Sequence, residues 1–218
     1  MKKALLIVNL GTPDSPSYFS VFKYLREFLS DEKVLNINPV LRFLLVNLII
    51  CPTRSFSSSK IYKKVWDPVN GSPLLFNTQK LNDVLSEMLP DMDVQYAMRY
   101  QSPSIKSKLD EMLLKNPDEI IILPLFPHYA AATSGSVFKE VTKQLSKKWV
   151  VPKITFINQF YEQNKISIVG LYDAEENGLN MEMWFNSNGN EIKSILNKLN
   201  KTNLSKDAKE IFDIALLT

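Results

Sequence analysis

The chain of 218 residues holds one histidine, His128, and one cysteine, Cys51. His128 follows Glu119–Leu125 (EIIILPL), a run that reads as a buried strand. Its imidazole would then stand at a strand's carboxyl end, where ligands bind in parallel α/β sheets. A neutral imidazole there can hold a divalent metal and take a proton near pH 7. A histidine hydrogen-bonded to loop backbone is the plainer alternative. One ligand makes a poor metal site, and Glu175, Glu176 and Glu182 read as solvated loop rather than as its partners. Cys51 alone can make no internal disulfide and cannot supply a structural zinc or iron–sulfur ligand set. That points to a reducing, cytoplasmic compartment. Gly-x-Gly-x-x-Gly and a Walker A lysine motif are absent, and Gly11-Thr12-Pro13 alone is too little for a phosphate site.

The elements that must position these residues follow from patterning. At 45% hydrophobic and 22% charged the composition is globular, which excludes a mainly disordered or low-complexity chain. A net charge of +3 is too balanced to imply nucleic acid. Met1-Lys2-Lys3 followed by Ala4–Leu10 has the look of a signal peptide. The apolar run is short, however, and no Ala-x-Ala site follows, so a buried first strand, Lys3–Leu10, is the better reading. Asp14 or Ser15 can cap a helix running to Leu29, with Pro16 in its first turn. Further helices are expected over Val40–Ile50, bounded by Pro39 and Pro52, and over Ser55–Trp66, Pro73–Met88, Ser104–Leu114 and Ser136–Leu145. Strands are expected at Asp93–Met98, Glu119–Leu125 and Lys153–Ile157. The alternation predicts an α/β, Rossmann-like domain over residues 1–164, with a four-stranded parallel sheet flanked by helices.

Val40–Cys51 is the longest apolar stretch. It contains Arg42 and Asn47 and is shorter than the ~20 residues a bilayer span needs. It is either a core helix or an apolar lip that meets a membrane surface or a large flat hydrophobic ligand. Residues 165–218 differ in character. They carry net −2 where residues 1–164 carry +5, are rich in asparagine, and form a divergent, mostly helical tail in this reading.

Several segments together resemble one family. They are Val8-Asn9-Leu10-Gly11-Thr12-Pro13-Asp14, Tyr24-Leu25-Arg26-Glu27-Phe28-Leu29-Ser30-Asp31, Gly71-Ser72-Pro73-Leu74 and Ala97-Met98-Arg99-Tyr100. Leu123-Pro124-Leu125-Phe126-Pro127-His128-Tyr129 and Thr133-Ser134-Gly135-Ser136-Val137-Phe138 complete the series. In order and spacing, from about residue 3 to 162, they resemble the N-terminal half of the ferrochelatases. The resemblance implies the chelatase fold and insertion of Fe2+ into protoporphyrin IX, the last step of haem synthesis. Iron is then a substrate, no cofactor is permanently bound, and Val40–Ile50 is a candidate peripheral membrane contact of a cytoplasmic protein.

The resemblance also implies site residues. Leu10 resembles the position facing the ring centre, Arg54 the rim arginine that pairs with a propionate, and Tyr62 and Ser72 porphyrin contacts. Read without the family, Leu10 is core, Tyr62 an amphipathic-helix residue, Ser72 a cap and Arg54 a solvated charge. The family's metal-side base is a histidine in a Ser-x-His-x-x-Pro-like motif, helped by a glutamate, both in its second half. Residues 163–218 carry no Ser-x-His motif and no matching glutamate. His128 stands where many members have Gln, and Ala130 where the family often has Ser. The expectation is a ferrochelatase-like chain lacking the catalytic His and Glu, through truncation or fusion. The alternatives are a non-catalytic porphyrin-binding half-domain and a minimal chelatase that builds its cleft from two chains.

Overall fold

A computed structural model of the chain describes residues 2–160. The tail at 165–218 and the boundary at 164 lie outside the described residues. Four strands, β1 (Lys3–Gly11), β2 (Met92–Tyr100), β3 (Glu119–Pro124) and β4 (Lys153–Phe156), form one all-parallel sheet in the order β2-β1-β3-β4. Both faces are covered, which is why β1 reads as an unbroken apolar run. Ala4, Leu6 and Val8 face a core built with α5 (Ile105–Leu114) and α6 (Ser136–Leu145). Leu5 and Ile7 face Leu81 and Leu85 of α4 (Pro73–Met88). The winding reverses between β1 and β3, so the crevice for a ligand opens at their carboxyl ends.

The predicted strands and most helices form within a residue or two of their expected bounds. Two differences have physical causes. The first helix, α1 (Tyr18–Ser30), is capped by Ser17, whose hydroxyl accepts the Ser20 N–H at 3.3 Å, rather than by Asp14 or Ser15. Pro16 therefore precedes the cap instead of lying in the first turn.

The second difference is larger. Val40–Ile50 and Ser55–Trp66 are not separate helices. A single helix of 27 residues runs from Pro39 to Val65, as α2 (Pro39–Leu44), a π-helical turn (Leu45–Ile50) and α3 (Cys51–Val65). Asn38 caps it, its Oδ1 accepting from the Val40 and Leu41 N–H groups. Pro52 does not end it. In a regular helix the proline ring would strike the Leu48 carbonyl and leave it without a donor. The turn before it is widened instead, with the Cys51 N–H bonding to the Val46 carbonyl five residues back. The expectation that this apolar segment is too short to span a bilayer rested on a break at Pro52. The continuous helix is long and apolar enough to cross a membrane by length and composition. Nor is it a core helix: Val46, Cys51, Ser55 and Ser59 are buried, and most of its apolar side chains are exposed.

Candidate functional site

The carboxyl end of β1 forms the centre of the site. Gly11 has φ +113°, and a Cβ there would lie 2.1 Å from the Tyr100 carbonyl oxygen, so only glycine fits against β2. Leu10, beside it, is half-buried. Thr12 is buried and accepts a 2.8 Å hydrogen bond from the Ser72 hydroxyl, 60 residues on. Ser72 occupies the cap position of α4 without bonding to that helix's own N–H groups. Its expected alternative as a cap is therefore not what its side chain does: the hydroxyl ties the Gly-Ser-Pro turn to the strand end next to Leu10.

The helix α3 leads directly into the same turn. Asp67 and Gly71 exchange backbone hydrogen bonds of 2.9 and 3.0 Å, and Gly71 takes φ +81° to close the loop. Tyr62 is half-buried one turn before that loop, edge-on to Tyr24 of α1 with ring centroids 6.4 Å apart. Burial raises both phenols above their ordinary range, so both stay neutral. Arg54 is exposed two turns earlier, ~12 Å back along the axis at 1.5 Å per residue. Leu10 and Ser72 are thus brought together through Thr12. Tyr62 is linked to them through the end of α3, and Arg54 stands apart in solvent.

His128 is exposed in the loop after β3, at the carboxyl edge as expected. Among the described residues no group of three His, Cys, Asp or Glu side chains is placed to hold a metal ion.

The densest polar cluster joins three of the quoted motifs and was not foreseen from the sequence. The Asp31 carboxylate, buried after α1, accepts from Arg99 Nη2 at 2.7 Å, the Tyr100 hydroxyl at 3.1 Å, the Lys33 N–H at 3.0 Å and the Ser136 hydroxyl. Arg99 Nε also donates to Ser136, to Oγ at 2.7 Å and to the carbonyl at 3.1 Å. Burial alone would raise the Asp31 pKa. The Ser136 hydroxyl, the Lys33 N–H and the Arg99 and Lys139 charges outweigh it and hold the carboxyl down to about 2. Next to it, Glu27 accepts from the Gln101 N–H at 3.0 Å and from its side-chain amide. Asp31, Arg99, Tyr100 and Ser136 join the end of α1 to β2 and α6 through bonds to one another, which makes them a brace for the site. The only sequence signal was that Asp31, Arg99 and Ser136 each sit within a recognisable motif.

Comparison with known proteins assigns this arrangement to a family. The ferrochelatase family model matches residues 2–169. The ferrochelatase of Francisella tularensis subsp. tularensis (strain WY96-3418) is 47% identical over 168 residues, covering 77% of this chain and 50% of the relative. That of Francisella tularensis subsp. novicida (strain U112) is 46% identical over the same shares. The chain therefore spans about half the length of the curated relatives it matches.

Proposed function

Since the chain belongs to the ferrochelatase family, an enzyme family, we propose that its described domain is the porphyrin-receiving wall of a chelatase whose substrates are protoporphyrin IX and Fe2+. The observation that carries this reading is the bond between Ser72 and Thr12, which gathers the Gly-Ser-Pro turn and Leu10 at the mouth of the sheet's crevice. A porphyrin is a flat apolar ring with carboxylates on one edge, so its slot needs greasy walls and a cation at the rim. In this reading Leu10 and Tyr62 offer the apolar contact. Ser72, whose proton is donated to Thr12, forms the polar corner of the slot beside Leu10. Arg54, exposed on α3, supplies the forked cation for a carboxylate at the rim.

Metal insertion also needs a base for two pyrrole protons. His128 is exposed in the loop after β3, and no metal-holding group of side chains is present among the described residues. The chain alone is therefore expected to bind protoporphyrin and to insert metal poorly. Titration of the protein into protoporphyrin should perturb the Soret band. Arg54→Ala should weaken binding ~10-fold or more, the worth of one charge-assisted hydrogen bond. An unmoved Soret band ends the porphyrin reading. Fe2+ or Zn2+ insertion that His128→Ala abolishes overturns the assignment of His128 to a non-catalytic role.

A second reading concerns where this wall works. The helix Pro39–Val65 exposes Val40, Leu41, Phe43, Leu44, Leu48 and Ile49. It also carries Arg42, Arg54, Lys60, Lys63 and Lys64 with no acidic residue. An apolar surface flanked by cations suits a helix lying on an anionic bilayer. Its buried line from Val46 to Ser59 is used against the rest of the domain, and α3 packs on α1. That favours lying on the membrane over crossing it.

A further inference from the structure

We infer that Asn9 is a positioning residue for the porphyrin wall, holding Leu10 and the start of α4 in one fixed relation; this rests on the reading that Leu10 and Ser72 contact the ring. The inference begins with a misplaced residue type. Along β1, Leu5 and Ile7 face the apolar cluster with α4, and the alternation puts Asn9 next on that face. Asn9 is 1% exposed. An apolar side chain would fill this place without the desolvation that a buried amide must overcome.

Both ends of the amide are hydrogen-bonded. The last paired residues of β1 and β3 are Val8 and Pro124, and the Leu125 N–H bonds back to the Val8 carbonyl at 2.8 Å. Leu10, the next residue that would face β3, lies beyond the last pair, where the strands part. Its N–H is accepted by Asn9 Oδ1 at 2.8 Å. The Asn9 Nδ2 donates to Thr78 Oγ1 at 3.0 Å, and Thr78 donates to the Leu74 carbonyl at 2.7 Å. Thr78 is itself buried. A hydrogen-bonded chain therefore runs from the Leu10 main chain, through Asn9 and Thr78, to the first turn of α4, two residues from Ser72. With the Ser72–Thr12 bond it closes a second link between the same strand and helix. Two links fix both the separation and the rotation of the two contact residues. β2 still pairs with Asn9 and Gly11 on the other side, so what the Asn9 link adds is an acceptor for the Leu10 N–H on the side that β3 has left.

The test uses the full chain, with protoporphyrin IX as the probe. Asn9→Leu matches the apolar face and should keep the melting temperature, while weakening porphyrin binding ~10-fold and shifting the bound Soret maximum. Thr78→Val should do the same, and Thr78→Ser, which restores the hydroxyl, should return both readouts to wild type. A merely structural role would move melting alone. Amide hydrogen exchange without porphyrin gives an independent measure: the Leu10 N–H should exchange at least ~10-fold faster in Asn9→Leu. Wild-type binding that Asn9→Leu and Thr78→Val leave unchanged overturns the positioning role and spares the porphyrin reading. A wild-type chain that leaves the Soret band unmoved overturns the porphyrin reading itself. A Leu10 amide that already exchanges at the rate of an open loop in the wild type overturns the clamp whatever the porphyrin does.

Discussion

At the scale of single residues, the domain depends most on two positions outside the proposed ring contacts. Asp31 is a buried carboxylate with an almost fully buried guanidinium against it. Asp31→Asn removes the charge and leaves Arg99 desolvated and unpaired, which should cost about 3 kcal/mol by urea unfolding at pH 7. The Asp31 pKa is lowered in the fold, to about 2 from an ordinary 3.8. Its contribution is thus complete above about pH 4 and is lost as pH falls toward 2. The stability gap between wild type and Asp31→Asn should narrow across that window; a gap that stays constant with pH would mean the carboxylate's charge is not what braces the fold. Gly11→Ala should destabilise by at least about 2 kcal/mol, because the left-handed backbone is strained for alanine and the added Cβ meets the Tyr100 carbonyl. The Gly-Thr-Pro motif signalled a strand end, but the reason for its glycine is a contact with β2, distant in sequence. Asp31 was equally unreadable: its partners Arg99 and Ser136 lie 68 and 105 residues away, and no local pattern encodes such a meeting.

At the scale of elements, local grammar was readable wherever caps and apolar period agreed. Pro73–Met88 and Ser136–Leu145 form at the expected bounds, and Ser104 caps α5 through the Ser107 N–H. Proline misled where the helix could widen to hold it, so Pro52 marked an apparent end inside a continuous helix. The exposed side of that helix makes its own prediction. Leu48 is 67% exposed and lies within its apolar face. Leu48→Lys should leave the melting temperature within a degree or two, and should lower binding to vesicles rich in anionic phospholipid by an order of magnitude in a sedimentation assay. Residual binding should fall further with added salt. Equal sedimentation of variant and wild type would remove the apolar face from any membrane role.

At the scale of the whole molecule, one sheet covered on both faces gives residues 2–160 a core of their own, built from two apolar clusters on opposite sides of β1. Its ligand edge gathers the ends of β1, β2 and β3, so one wall of a crevice is a property of the domain as a unit. β1 precedes the other three strands of the sheet in the chain and is an inner strand, with Lys3 paired to Met92 on one side and Glu119 on the other. At a synthesis rate of about 5–20 residues per second, roughly 4 to 20 seconds separate the translation of Lys3 from that of its first partner. Until then the apolar KALLIVNL segment has neither of its strand partners. The same ordering that centres the sheet on β1 makes its folding wait for pairings about 90 and 115 residues downstream, a slow, long-range closure.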